Sequence, residues 1–171
     1  DIPSCIDYML IGEFSSNVDI YQLSTYFHKD TQGKLRAGPV WDFNLTFGND
    51  IQYNRSRYNV WQFSNYNNEG AKFWTDLFNN PNFKCHLARH WHELTDSGQP
   101  LNGERVFAFI DEAVVPITDA ITRDCQRWGK TDHHESNIDS MKTWITNRIN
   151  WMNTKLGSCA QCENESVPNL V

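Results

Sequence analysis

The chain is 171 residues long, with 21 acidic against 15 basic residues and a formal net charge of −6. That length suffices for one domain that buries roughly 70% of the surface its unfolded chain exposes, so neither a metal nor a disulfide is needed merely to hold the fold. The acidic balance argues against a nucleic-acid or anionic-membrane binder, which would carry a basic face, and no apolar run approaches the ~18 residues of a membrane span.

Ser4 to Ser16 reads as a helix entered through Pro3, with Ser4 and Asp7 at capping-box spacing and Ile6, Met9, Leu10 and Phe14 on one face. It ends where the most informative stretch begins, NVDIYQLSTYFHKDTQGKLRAGPVWDFNLTFGN from Asn17 to Asn49. Ser24 to Lys29 is rich in aromatic and β-branched residues, and Thr31 to Lys34 (TQGK) is turn chemistry. Leu35 to Trp41 starts a second extended run that closes on Pro39, so the stretch predicts a β-hairpin. A hairpin brings the residues that flank its two strands together. Asp19 and Asp42 are therefore expected to face one small volume, where two carboxylates suit a divalent metal, or one base and one metal ligand.

Asn49 to Gly70 has neither a helical nor an alternating period and predicts a long loop, functional, substrate-facing or packed down by Tyr53, Tyr58, Trp61, Phe63 and Tyr66. Arg55 and Arg57 on it either engage phosphate or an acidic peptide or are simply solvated. Ala71 to Phe78 predicts a short helix, Asn80-Pro81 resets the chain, and Asn82 to Leu94 predicts the next helix. His86 and His90 take the i, i+4 spacing of a metal pair with His92 close by, but no zincin-type Glu or cysteine cluster accompanies them. Glu104 to Trp128 predicts a long helix kinked or divided at Pro116, its faces Val106, Phe109, Ile110, Ala113 and Val114, then Ile117, Ala120, Ile121 and Trp128. Gly129 to Ser136 breaks the pattern with His133 and His134 as loop residues. Asn137 to Leu156 predicts the last helix, carrying Met141, Trp144, Ile145, Arg148, Ile149, Trp151 and Met152 and stopping at Gly157.

The order acid, hairpin, acid is that of the carboxyl-terminal half of protein kinases. There the first acid accepts the substrate hydroxyl proton and the second holds magnesium against the nucleotide phosphates. Within that order GPVWDFNLTFGN, the upstream NVDIYQLSTYFHKD with GKL between them, and the later RINWMNTKLG resemble the CotH family of secreted, kinase-like proteins, named for a spore-coat kinase, over residues 1–157. The resemblance implies an α+β fold, mostly helical, like a kinase C-lobe with a central hairpin carrying the acidic pair. It implies phosphoryl transfer from ATP, with Mg²⁺ or Mn²⁺, to Ser/Thr of extracellular or surface proteins. Asp19 is implied as catalytic base and Asp42 as the metal ligand of the DFG-like position. Ser24 stands where the H-R-D-L-x-x-x-N loop carries its metal-binding Asn, and Asn44 where a WDFD pattern carries a second acid. These departures support a rival reading, a catalytically degenerate structural or adhesive surface glycoprotein on the same fold.

In kinases the nucleotide-covering element and the phosphate-pairing lysine precede the catalytic acid, and residues 1–18 contain no lysine or arginine. The expected partner is an upstream N-lobe of the same parent protein, and this chain alone is expected to bind Mg²⁺-ATP no better than about millimolar. Three sequons, at Asn44, Asn54 and Asn164, fit secretion or a cell-surface location. Cys5, Cys85, Cys125, Cys159 and Cys162 are disulfide candidates, either as two bridges with one thiol over or with a partner outside the chain. Residues 1–157 form the expected kinase-like domain; residues 158–171 (SCAQCENESVPNLV) read as a linker or tail in which Cys159 and Cys162 favour a structural disulfide over a redox pair or half a zinc site.

Overall fold

Helix α1 (Ile2–Ser15) is the element on which the rest is assembled, packing against the hairpin and two later helices. The computed structural model describes residues 1–50, 55–65, 70–129 and 133–157. The N-cap is Asp1, whose carboxylate accepts the Ser4 N–H at 3.0 Å, and Pro3 occupies the first turn, where a missing N–H costs nothing. Ser4, the expected cap, is already helical. Its hydroxyl instead donates to the Asp1 carbonyl at 2.9 Å and accepts the Ala37 N–H at 3.1 Å, pinning the hairpin to the helix.

The hairpin pairs β1 (Phe27–His28) with β2 (Arg36–Ala37) in antiparallel register, Phe27 opposite Ala37 and His28 opposite Arg36. Its strands are shorter than the sequence suggests because their outer ends are engaged elsewhere. The Ser24 N–H closes a turn onto the Asp19 carbonyl at 2.9 Å, and Pro39, after a cis Gly38–Pro39 bond, has no N–H to extend the ladder.

After a single 3₁₀ turn (Gln62–Ser64) the remaining elements are helices: α2 (Phe73–Asn79), α3 (Pro81–Thr95), α4 (Gly103–Val114), α5 (Thr118–Trp128) and α6 (His134–Leu156). Asn80 caps α3 by accepting the Phe83 N–H at 3.1 Å, and Asn102 caps α4 from Glu104 at 3.1 Å. Pro116 does divide the long predicted helix, through a 3₁₀ turn (Val115–Ile117). The second face predicted for that helix is left open, with Ile117 and Trp128 exposed. His134 begins α6 rather than lying in the preceding loop.

The core gathers Met9, Leu10 and Phe14 of α1 with Trp74, Phe83, Leu87, Trp91, Ile145 and Met152. Each such side chain contributes about 1.5 to 3 kcal/mol by leaving water. The long segment after the hairpin is packed down as expected through Trp61 and Phe63, which meet Phe78 and Trp151; Tyr58 is exposed, and Tyr53 and Tyr66 lie outside the described residues.

Two cysteine assignments need correction. Cys5 and Cys125 carry free thiols, because Cys5 faces the hairpin from α1 and Cys125 sits on α5, with no cysteine opposite either among the described residues. Cys85 is disulfide-bonded, and Cys159 and Cys162 lie outside the described residues.

Gly48 joins the post-hairpin segment to α6. Its φ is +85°, and an added Cβ would stand 2.8 Å from Cδ1 of Trp144. Gly48→Ala is therefore expected to lose roughly 1 to 3 kcal/mol, from left-handed strain and overpacking together, in urea denaturation. An unchanged midpoint would show that the segment moves freely past Trp144.

Candidate active site

Reversal of the chain at the end of α1 builds the site. Ser16 turns left-handed at φ 50°, and the N–H groups of Ser16 and Asn17 close back on the carbonyls of Glu13 and Gly12 at 3.0 Å each. Gly12 has no side chain because Ile20 of the returning segment fills that space. The returning segment then tightens: the N–H groups of Gln22, Leu23 and Ser24 all point to the Asp19 carbonyl, at 3.2, 3.0 and 2.9 Å. The Tyr8 hydroxyl lies 2.9 Å from the Ile20 carbonyl and 3.1 Å from that of Ser24, fixing the turn from below, and burial raises the Tyr8 pKa.

Asn17 joins the two acid-bearing segments. It is fully buried; its Oδ1 accepts the Asp19 N–H at 3.0 Å and its Nδ2 donates to the Asp42 carbonyl at 3.1 Å. One amide thus spans the stretch before the hairpin and the stretch after it. Asp42 itself adopts φ 57°, a conformation that Asp tolerates better than most residues and that concentrates at functional sites. Asp19 is half-exposed and Asp42 exposed.

The segment beyond Asp42 is held by the C-terminal end of α1. Phe47 donates its N–H to the Ser15 carbonyl at 2.8 Å, and Ser56 accepts the Gly48 N–H at 3.1 Å while donating to the Ser16 carbonyl at 3.0 Å. The Gln62 amide donates to the Ser16 hydroxyl and the Arg55 carbonyl at 2.8 Å each. Helix-end carbonyls that would otherwise lack partners become the frame of the site.

Beneath this frame lies a buried ion pair that sequence reading missed. The Glu13 carboxylate accepts the N–H groups of Gln62 and Phe63, at 2.9 and 3.1 Å, and pairs with Arg148 at 3.1 Å. Burial pushes Glu13 up, outweighing the attraction of Arg148. Burial also pushes Arg148 down to about 10, partly offset by Glu13, which leaves it cationic at neutral pH. The available signal was a charge of opposite sign on the apolar stripe of each helix.

The remaining sequence candidates divide. Ser24 is buried in the turn after Asp19, and Asn44 is exposed, its carbonyl accepting from the Asn49 amide at 2.9 Å. Arg55 is paired with the buried Asp50 at 3.5 Å, so of the two loop arginines it serves the fold, and Arg57 is exposed. His86 contacts Arg89, His90 bridges Asp7 and Glu93 at 3.0 Å each, and His92 meets the Gly157 carbonyl at 2.7 Å. Among the described residues no three His, Cys, Asp or Glu side chains are grouped to hold a metal. Mg²⁺ does not need such a cage, since one or two carboxylates with phosphate oxygens and water complete its shell, and the exposed Asp42 fits that donor set. Asn54 and Asn164 lie outside the described residues, and no helix among those described is long and apolar enough to cross a membrane.

An acid in the turn after a helix is joined through one buried amide to the backbone of a second acid beyond a short hairpin, in a mostly helical α+β domain. The family model described as CotH kinase protein matches residues 1–152, and the chain belongs to that family. Neither the curated proteins nor the solved structures give a match.

Proposed function

We propose that this domain carries the catalytic acids of an ATP-dependent protein kinase that phosphorylates Ser/Thr hydroxyls of extracellular or surface proteins. The observation that carries the reading is the Asn17 amide, which holds the backbones of Asp19 and Asp42 in one unit. Asp19 accepts the proton of the acceptor hydroxyl as its oxygen attacks phosphorus, and the rigid turn closed on its carbonyl keeps it aligned. Asp42 would hold Mg²⁺ or Mn²⁺, which when bound neutralises charge on the phosphates. Gripping of the nucleotide is assigned to elements other than this hairpin, since in kinases a glycine-rich loop and a lysine distinct from the two acids hold the phosphates. The sequon at exposed Asn44 supports a secreted or cell-surface location.

The rival reading, a structural or adhesive glycoprotein, draws on that same sequon. A glycan on Asn44 would stand two residues from Asp42 and obstruct a nucleotide. In the full-length protein, labelled γ-phosphate from Mg²⁺- or Mn²⁺-ATP is expected on acceptor Ser/Thr, and Asp42→Asn is expected to weaken metal-nucleotide affinity by roughly tenfold or more. Absence of transfer, together with a glycan mass on the Asn44 peptide, would establish the rival.

A further inference from the structure

The segment after the hairpin and α6 enclose an open groove of about 470 Å³. Its lining includes Trp61 and Trp151, whose rings touch at 4.7 Å between centroids and form one aromatic surface, with Arg57 and Lys155 as the charged lining residues and the amides of Asn59 and Asn65 beside them. No Asp or Glu among the described residues lines it, although the chain as a whole carries 21 acids against 15 basic residues. The buried Arg148 guanidinium lies 4.8 and 5.6 Å from the centres of the Trp151 and Trp61 rings. Lys155 Nζ is 5.9 Å from the centre of Trp151.

The groove is tied to the catalytic turn through backbone. The Arg57 carbonyl accepts the Ser16 hydroxyl at 3.0 Å, and Ser16 immediately precedes Asn17, the amide that joins Asp19 to Asp42. Arg57 is exposed and Lys155 is exposed, whereas Arg55, two positions before Arg57, is held by Asp50. The chain therefore separates one arginine for structure from one that faces the groove. A positive groove with one aromatic surface, linked through backbone to a site proposed to take a hydroxyl from another protein, matches an extended peptide with carboxylates flanking the acceptor residue.

We propose that this groove binds an acidic, Asp/Glu-bearing segment of the acceptor protein; the identification of the occupant as an acceptor rests on the phosphoryl-transfer reading. The joined Trp61–Trp151 surface underlies the peptide main chain, and Arg57 and Lys155 pair with its carboxylates. Sequence recognition thereby comes from charge on the side of the groove and leaves the catalytic pair to handle the hydroxyl alone.

Tryptophan fluorescence of this chain, titrated with a serine peptide flanked by Asp and Glu, tests the proposal without requiring turnover. The acidic peptide is expected to bind about tenfold more tightly than its Asn/Gln twin, with the gap closing between about 50 and about 500 mM salt. The double substitution Arg57→Glu with Lys155→Glu, at two exposed positions, is expected to abolish the preference while circular dichroism stays unchanged. Equal binding of the two peptides, or tighter binding of a neutral oligosaccharide, would overturn it. An acidic preference in a full-length protein that transfers no phosphate would support the groove and overturn the kinase reading; transfer without preference would do the reverse.

Discussion

Arg148→Met is expected to cost roughly 3 to 5 kcal/mol of folding stability in urea denaturation, the range found when one partner of a buried ion pair is removed. Arg148 is fully buried and uses its guanidinium as a fork. Nε donates to the Glu13 carbonyl at 2.8 Å, Nη1 to the carbonyls of Tyr58 and Val60 at 2.7 and 2.6 Å, and Nη2 to the Glu13 carboxylate at 3.1 Å. Methionine fills similar volume, so the loss measures unpaired polar groups rather than a cavity. It leaves a buried carboxylate without its cation, still facing the Gln62 and Phe63 N–H groups and the Tyr21 hydroxyl, and two loop carbonyls without the donor they had.

Lysine at this position is expected to rescue little, since a single ammonium cannot reach carbonyls on three sides in the planar pattern a guanidinium offers. Pairing Arg148→Met with Glu13→Gln should recover part of the stability, because removing both charges costs less than stranding one. A loss below about 1 kcal/mol for Arg148→Met would mean the pair is solvated rather than buried.

The hairpin was legible because its signals are local. Turn residues between β-rich runs fix the reversal, and the reversal lets the Asn17 amide reach both the Asp19 N–H and the Asp42 carbonyl. Pro116 was legible for the same reason, since a missing N–H divides a helix from within. The ion pair was not. Glu13 lies beside Leu10 and Phe14, and Arg148 between Ile145 and Met152, and nothing local to either helix says that the fold sets one against the other. Arg55 and Arg57 looked alike in sequence, and only the buried position of Asp50 shows which one is already occupied. The N-cap shifted from Ser4 to Asp1 because the hairpin offered the Ser4 hydroxyl a second partner, a tertiary contact that capping rules do not contain. Burial of Ser24 likewise depends on Tyr8, which reaches the turn from another helix face.

Asp19→Asn is expected to lower phosphate transfer by about 10² to 10⁴-fold, the usual contribution of a positioned general base, while leaving the affinity for metal-nucleotide near wild type. The separation arises from how the two acids are held. The Asp19 main chain is fixed three times over by the N–H groups of Gln22, Leu23 and Ser24 and once more by Asn17, so replacing its carboxylate with an amide changes chemistry and not position. An amide oxygen is too weak a base to take the proton of an attacking hydroxyl, yet it occupies the same volume as the carboxylate it replaces. Loss should therefore fall on kcat rather than on KM for nucleotide, in contrast to the affinity loss expected for Asp42→Asn. Steady-state kinetics on the full-length protein distinguish the two, with melting temperature as the control for folding. Equal and mild effects of both substitutions on every parameter would show that these acids are not the catalytic pair. Ser24 would then be left as a buried turn residue rather than a substituted metal ligand, and the exposed Asn44 would remain the feature around which a glycoprotein reading is built.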